Sequence, residues 1–390
     1  MLAISGSMQP GTSSMIQGLA ACFTGLEDPR ETSRCDHQLI DILVIAVCAV
    51  IACAESWEDI ALYGRSKQAW LETFLALPNG IPSHDTFRRV FMLIDPDAFE
   101  VCFTRWVQSW ARGVAREVVA VDGKTVRRSG SRRHNHGPLH VVSAWASEQG
   151  LALGQRAVDG KSNEIAAIPE LLETLHLEGC IVTLDAMGCQ KDIAAQIRAK
   201  GADYLLVLKA NHGRAFGAVR EQFEQTCFGQ GARGRPVFDA FDEGHGRLVR
   251  RRVFMAPAIE DLEPLHGWPD LKAVLAVETI RSVNGTGPVE AEIRYFLTSC
   301  SDAPAVLVRA IRRHWSIENA LHWVLDVTFR EDDSRVRDRT AARNFALLRK
   351  MALNLVAQDQ RTRNSLRARR KKAAWDDSYM LQIITRQAHA

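Results

Sequence analysis

The sequence predicts an α/β fold: a mixed β-sheet flanked by helices, interrupted by a β-rich stretch and preceded by a helical region. Three observations predict it. Residues 36–112 carry apolar side chains at three- and four-residue spacing, the helical period. From Glu117 short apolar strands alternate with helices. Between about Phe216 and Ser299 the pattern turns to hairpins, and helices then return.

Each element has its own warrant. Residues 1–30, rich in Gly, Ser and Thr, predict a flexible N-terminus, and 31–115 a helical domain able to touch DNA. Its most apolar run, Ile42–Ala54, is bounded by Asp41 and Glu55. It is shorter than the roughly 18 residues of a membrane span, so it reads as a buried helix. In IPSHDTFRRVF, Ser83 or Asp85 caps a helix whose apolar face is Phe87, Val90 and Phe91, leaving Arg88 and Arg89 for DNA or solvent. REVVAVDGK, PLHVVSAWAS and LALGQRAV read as three strands, the last two joined at Glu148-Gln149-Gly150. A helix capped by Asn163 stops at Gly179, the strand CIVTLDAMG follows, and a second helix ends at Gly201 before the strand ADYLLVLKANHG. Hairpin turns are expected at Gly244-His245-Gly246 and Asn284-Gly285. A long helix then begins near Asp302 and Pro304, and another follows FREDDSRVRD. The domains predicted after residue 115 are a mixed-sheet core of 116–215 and 300–360, a β-rich insertion at 216–299 and a basic C-terminal tail at 361–390.

Composition narrows the class. A net charge of +3 gives no bulk field for nucleic acid, so local clusters must carry that argument. Nine cysteines without a CxxC pair suggest neither a zinc ribbon nor a disulfide framework and fit reduced thiols in the cytoplasm. The first residues lack a basic segment followed by an apolar one, so no signal peptide is expected.

Three acids stand out. Asp122 closes the apolar run VVAVD, and Asp185 closes IVTLD. A carboxylate ending a buried strand is costly, and two at adjacent strand ends repel unless a cation lies between them. Glu318 is mid-helix in HWSIENALHW, where Trp315, Leu321 and Trp323 require close packing. Three carboxylates suffice for two Mg²⁺ ions, the arrangement that activates water and stabilises the leaving oxygen of a phosphodiester. Taken singly, each acid also fits a salt-bridged strand end or an exposed helical Glu.

VVAVDGKTVRRS, IVTLDAMGCQKDIAAQIRAKGADYLLVLKANHG and HWSIENALHWVLDVTFREDDSR together resemble the DDE transposases of bacterial insertion sequences, in the branch that includes the H-repeat-associated proteins. GIPSHDTFRRVF resembles the N-terminal region of that branch, and the likeness spans roughly residues 35 to 360. The resemblance implies a ribonuclease H-like core interrupted by a β-rich insertion before the last acid. It also implies that Asp122, Asp185 and Glu318 are catalytic and metal-binding, with Mg²⁺ replaceable by Mn²⁺. The expected activity is cleavage at element ends and joining of the freed 3′-hydroxyl to target double-stranded DNA, by a homodimer on the DNA. The broader family's Tyr-Arg pair and Lys around the glutamate are replaced here by Ile311, His314 and Leu325, so their roles do not transfer.

Basic residues flank the acids. Lys124, Arg127 and Arg128, with Arg132 and Arg133, follow Asp122; Lys209 and Asn211 end the strand after Asp185; Arg313 and His314 precede Glu318. These are the expected phosphate contacts, giving salt-sensitive binding without sequence reading; the alternative is a solvated loop. The Arg250–Arg252 run and the basic tail are further candidates. A rival constellation, His314, Glu318 and His322 at four-residue spacing, has the look of zinc ligands but lacks HExxH and any Cys cluster. Trp315 and Trp323 fit the core better than a base-stacking platform. The functional alternatives are a decayed or domesticated DNA-binding relative and a stand-alone metal-dependent nuclease.

Overall fold

Asp41–Ile51 is buried without a break, and the rest of the N-terminal region is arranged around that fact. The computed structural model describes residues 17–385, except 32, 34, 111–113, 115, 132–134, 159–163, 232–233, 245–246, 258–261 and 284–285. The expected cap Asn163, the residues Arg132 and Arg133 and both hairpin turns therefore lie outside the described residues, apart from Gly244.

Helix α1 (Gln17–Cys22) precedes α2 (Leu39–Ile51), the expected buried helix. The Asp41 carboxylate accepts the Leu77 N–H at 3.1 Å, which satisfies an acid that burial would otherwise disfavour. Ser56 and Asp59 form a reciprocal capping box on α3 (Trp57–Ser66), and a short α4 (Gln68–Leu71) follows. Ser83, not Asp85, caps α5 (His84–Leu93), burying Phe87, Val90 and Phe91 as its spacing predicts. Asp95 and Pro96 start α6 (Pro96–Gln108).

The core sheet begins with the meander β1 (Val118–Val126), β2 (Leu139–Ala146) and β3 (Leu151–Val158). Helix α7 (Glu164–Glu173) leads to β4 (Ile181–Leu184), and α8 (Lys191–Ala199) leads to β5 (Asp203–Leu208). Gly201 follows α8 at φ +71°, the left-handed conformation that stops a helix; α7 ends at Glu173, short of the expected stop, and Gly179 (φ +72°) makes the turn before β4 instead. β1 runs antiparallel to β2 and parallel to β4, which is parallel to β5. The order β3-β2-β1-β4-β5, with a meander followed by parallel crossovers, is the ribonuclease H-like arrangement.

The stretch 216–299 differs from a separate β unit. It follows on from α9 (Gly213–Phe223) and contains β6 (Phe238–Gly244), β7 (Arg247–Pro257), β8 (Ala273–Val283) and β9 (Thr286–Thr298). The end of β9 pairs antiparallel with β5, Leu205 opposite Thr298, so among the described residues nine strands make one sheet. β5 would otherwise be an edge with unpaired backbone groups.

α10 (Pro304–His314) continues into π-helical turns over Ile317–His322 and Val324–Thr328. α11 (Arg339–Ala357) is buried along most of its length and packs on α2, α5, α6 and β3. The expected tail at 361–390 instead contains α12 (Leu366–Trp375) and α13 (Asp377–Ile384), both in contact with α11. Buried Arg370 donates to the carbonyls of Val50 (2.8 Å), Ile51 (3.3 Å) and Thr328, with its guanidinium 3.9 Å from the Phe329 ring centroid. Arg369 donates to Val356 and Ala357 at the end of α11. These two arginines cap helix ends, where carbonyls and the dipole favour a cation, so they are not free phosphate contacts. No described helix is long and apolar enough to cross a membrane.

Candidate active site

β1 pairs with β4 only as far as Val121 opposite Leu184. The strand itself runs on past Asp122 to Val126, held by β2, so Asp122 is not its end but the point where its other neighbour departs. Asp185 is the first residue beyond β4, directly beside it. Its Oδ1 accepts the N–H groups of Met187 (2.9 Å) and Gly188 (3.3 Å), which fixes the carboxylate at the mouth of this split. Next to Asp122, Gly123 has no room for a Cβ, because the buried His140–Glu164 pair packs against it.

The π-turn after α10 presents Glu318 and His322 to the same point. Trp323 N–H bonds to Glu318 O, five residues back, and such wide turns recur at functional sites. His322 Nδ1 lies 3.5 Å from Asp122 Oδ2 and 3.6 Å from Glu318 Oε2. One atom from each of Asp122, Glu318 and His322 lies within 4.8 Å of the others. Burial, then the neighbouring Glu318 charge, push the Asp122 carboxyl upward, and Asp185 adds to the shift. The His322 imidazole and the shared contact with Asp122 hold Glu318 down. Two carboxylates this close ionise together only with a cation between them. The donor set of hard oxygens, open to solvent on the Glu318 side, fits a divalent metal.

The structure thus brings Asp122 and Glu318 together with His322, and sets Asp185 at the adjoining strand end, outside that close group. It separates the zinc-like trio. His314 turns away to Thr183, Nδ1 to Oγ1 at 2.9 Å, and burial pushes its imidazole down to about 4 against the pull of Asp185 and Glu318. His314 therefore anchors α10 to β4 and is not an exposed phosphate contact. His322, absent from the expected site, takes the position beside the acids; its only sequence signal was the four-residue spacing from Glu318.

Lys124 is also redirected. Its Nζ sits 2.6 Å from both Asp326 and Glu331 in a nearly closed site, so its charge is spent inside the protein. Arg127 and Arg128 remain at the surface, in loose pairs with Asp332 (3.2 Å) and Asp333 (3.3 Å). Lys209 and Asn211 are exposed, with Asn211 Nδ2 donating to Ala186 O beside Asp185. Arg313 is half-exposed, 3.6 Å from Glu148. Of the apolar neighbours of Glu318, Leu321 is buried, but Trp315 and Trp323 are 47% and 57% exposed and lie outside the core. Trp315 carries Arg294 at 5.0 Å from its ring centroid and lines a cavity of about 540 Å³ between α10 and the β7–β9 strands. Arg251, Arg281, Arg294 and Arg312 line it too, with Asp242 the acid among them. Sequence reasoning missed this cavity, because its arginines come from three strands and a helix that only folding brings together.

Two family matches account for this organisation. "Transposase DDE domain" matches residues 114–355 and "DDE_Tnp_1-associated" matches residues 20–107. The chain belongs to the DDE transposase family. It is 37% identical to "H repeat-associated putative transposase YhhI" of Escherichia coli (strain K12), over 92% of this chain and 95% of that protein. It is 43% identical to an uncharacterised protein from the dhlA 3′ region of Xanthobacter autotrophicus, over 76% of this chain and 100% of that protein. Among solved structures, a piggyBac transposase synaptic complex with hairpin DNA aligns with 12% identity and a TM-score of 0.44, covering 96% of this chain and 79% of that chain.

Proposed function

We propose that this chain is an insertion-sequence transposase that cleaves DNA at element ends and joins the freed 3′-hydroxyl to target DNA. The observation that supports it best is the meeting of Asp122 and Glu318, distant in sequence, beside Asp185 at the open end of a ribonuclease H-like sheet. Asp122, which feels the charge of both other acids, would be the ligand shared by a metal pair, with Asp185 and Glu318 each holding one ion. Divalent metal bound there, Mg²⁺ or Mn²⁺, would supply an activated hydroxyl nucleophile and stabilise the leaving oxygen.

The chain's own groups hold the DNA. Arg127, Arg128, Lys209 and Asn211 lie at the surface on the segments that adjoin the acids, and the arginine-lined cavity adds a basic surface along α10; Arg313 is turned instead to Glu148 at the start of β1, away from the acids. Exchanging an exposed Asp332 or Asp333 pair for a phosphate costs little, since such surface pairs contribute about 0–1 kcal/mol. Bringing two element ends together calls for two copies of the chain, so a homodimer on the DNA is part of the proposal, with the cytoplasm as its place of action.

Purified protein incubated with Mg²⁺ and DNA containing the sequences that flank its gene tests this reading. Joined products support it. Hydrolysis without joining would identify a nuclease, and binding without cleavage a decayed or domesticated relative.

A further inference from the structure

His322 has no role in a site made of three acids, yet it is 4% exposed and its ring points into that site. Nδ1 lies 3.5 Å from Asp122 Oδ2 and 3.6 Å from Glu318 Oε2. Hydrogen bonds run at about 2.7–3.2 Å, so both contacts are too long. They suit ligands arranged around one ion. With bonds of about 2.1 Å, neighbouring octahedral ligands stand ~3.0 Å apart and opposite ones ~4.2 Å, and the two observed separations fall between these limits. On the other side of the ring, Nε2 is buried with no hydrogen-bond partner among the described residues, so nothing there turns the imidazole away from the acids.

We propose that His322 Nδ1 is a direct ligand of one of the two divalent cations, so that this position carries two carboxylates and an imidazole. The inference rests on the metal-dependent reading above and extends it to metal preference. Mg²⁺ takes oxygen almost exclusively, whereas imidazole suits first-row transition ions. The Asp122–Glu318–His322 position therefore discriminates against Mg²⁺, and the Asp122–Asp185 side, which has oxygen donors alone, does not.

Mn²⁺ is the probe, because its bound and free forms are counted by electron paramagnetic resonance and pulsed spectra detect a directly bonded ¹⁴N. Full-length protein, alone and with duplex DNA, should show ¹⁴N coupling that disappears in His322→Gln and persists in His314→Gln. His322→Gln should weaken Mn²⁺ binding by roughly tenfold or more, at least the loss that a disrupted outer-shell partner causes, while Mg²⁺ competition changes less. Labelling the histidines with ¹⁵N should convert the coupling in the wild-type protein, a readout that needs no folded variant. Bound Mn²⁺ without nitrogen coupling, or coupling that survives His322→Gln, would overturn the inference and leave the three-carboxylate reading standing. Failure of the wild-type protein to bind Mn²⁺ at all would remove both.

Discussion

Of the three acids, Asp122 stands at a cost to the fold, since burial and the Glu318 charge push its carboxyl upward, and the proposed metal would offset that cost. Asp122→Asn, Asp185→Asn and Glu318→Gln are each expected to abolish cleavage while duplex binding, read by fluorescence anisotropy, stays within about twofold. An acid whose amide variant keeps near-normal cleavage is misassigned. Lys124→Ala should behave differently despite lying two residues from Asp122. Removing one partner of a buried ion pair costs on the order of 3–5 kcal/mol, so urea unfolding should shift strongly while the salt dependence of DNA binding holds. Asp122 and Asp185 were legible as candidates because a carboxylate after VVAV or IVTL is anomalous in one dimension, whereas Glu318 stood out by its aromatic, apolar surroundings and the family resemblance. Lys124 was not, because its partners Asp326 and Glu331 stand about 200 positions away and only folding brings them close. His322 was half legible: the spacing marked one helix face, but only the π-turn sends His322 to Asp122 and leaves His314 on Thr183.

Among the elements, α12 best illustrates what charge patterns leave undecided. RTRNSLRARRKK reads as a solvated or DNA-binding run, but a basic helix that docks on carbonyl-rich helix ends satisfies the same pattern. Arg370→Ala should lower stability by about 2–3 kcal/mol in urea unfolding, the scale of hydrogen bonds to a charged group, with no change in DNA affinity. The turn after the π-helix gives a pH signature. Burial opposes the charge on Glu331, but Lys124, Lys350 and Arg349 outweigh it and hold the carboxyl down to about 2. An unfolded Glu titrates near ~4.3, so the stabilisation is complete above that value and is lost as pH falls toward about 2. Urea midpoints measured from pH 7 downward should therefore fall more steeply for the wild type than for Glu331→Gln over that interval; parallel curves would remove Glu331 as the cause. The core strands, the Ser83 cap and the Gly201 stop were legible, because each is decided within a few residues; the stop expected at Gly179 and the cap expected at Asp302 were not realised. Pairing of β9 with β5 was not, because it depends on segments 90 residues apart.

At the scale of the whole molecule, the β6–β9 strands bring a set of arginines over the same edge that carries Glu318. Arg281→Ala with Arg294→Ala should weaken duplex binding and flatten its dependence on salt, by a slope of about 0.9 for each phosphate left without its arginine. An unchanged slope would place that cavity outside the DNA path. Helix α11 has a broader consequence. It lies between the N-terminal helices and the sheet, and it arrives only after residue 338 has been made. Until then α2, apolar on every side, lacks the surface that covers it. A ribosome releasing this chain early would yield an aggregating fragment and not a free DNA-binding module. A gene broken before the α11 codons is therefore expected to fail at folding even with all three acids encoded, which a solubility assay of the truncated chain would check.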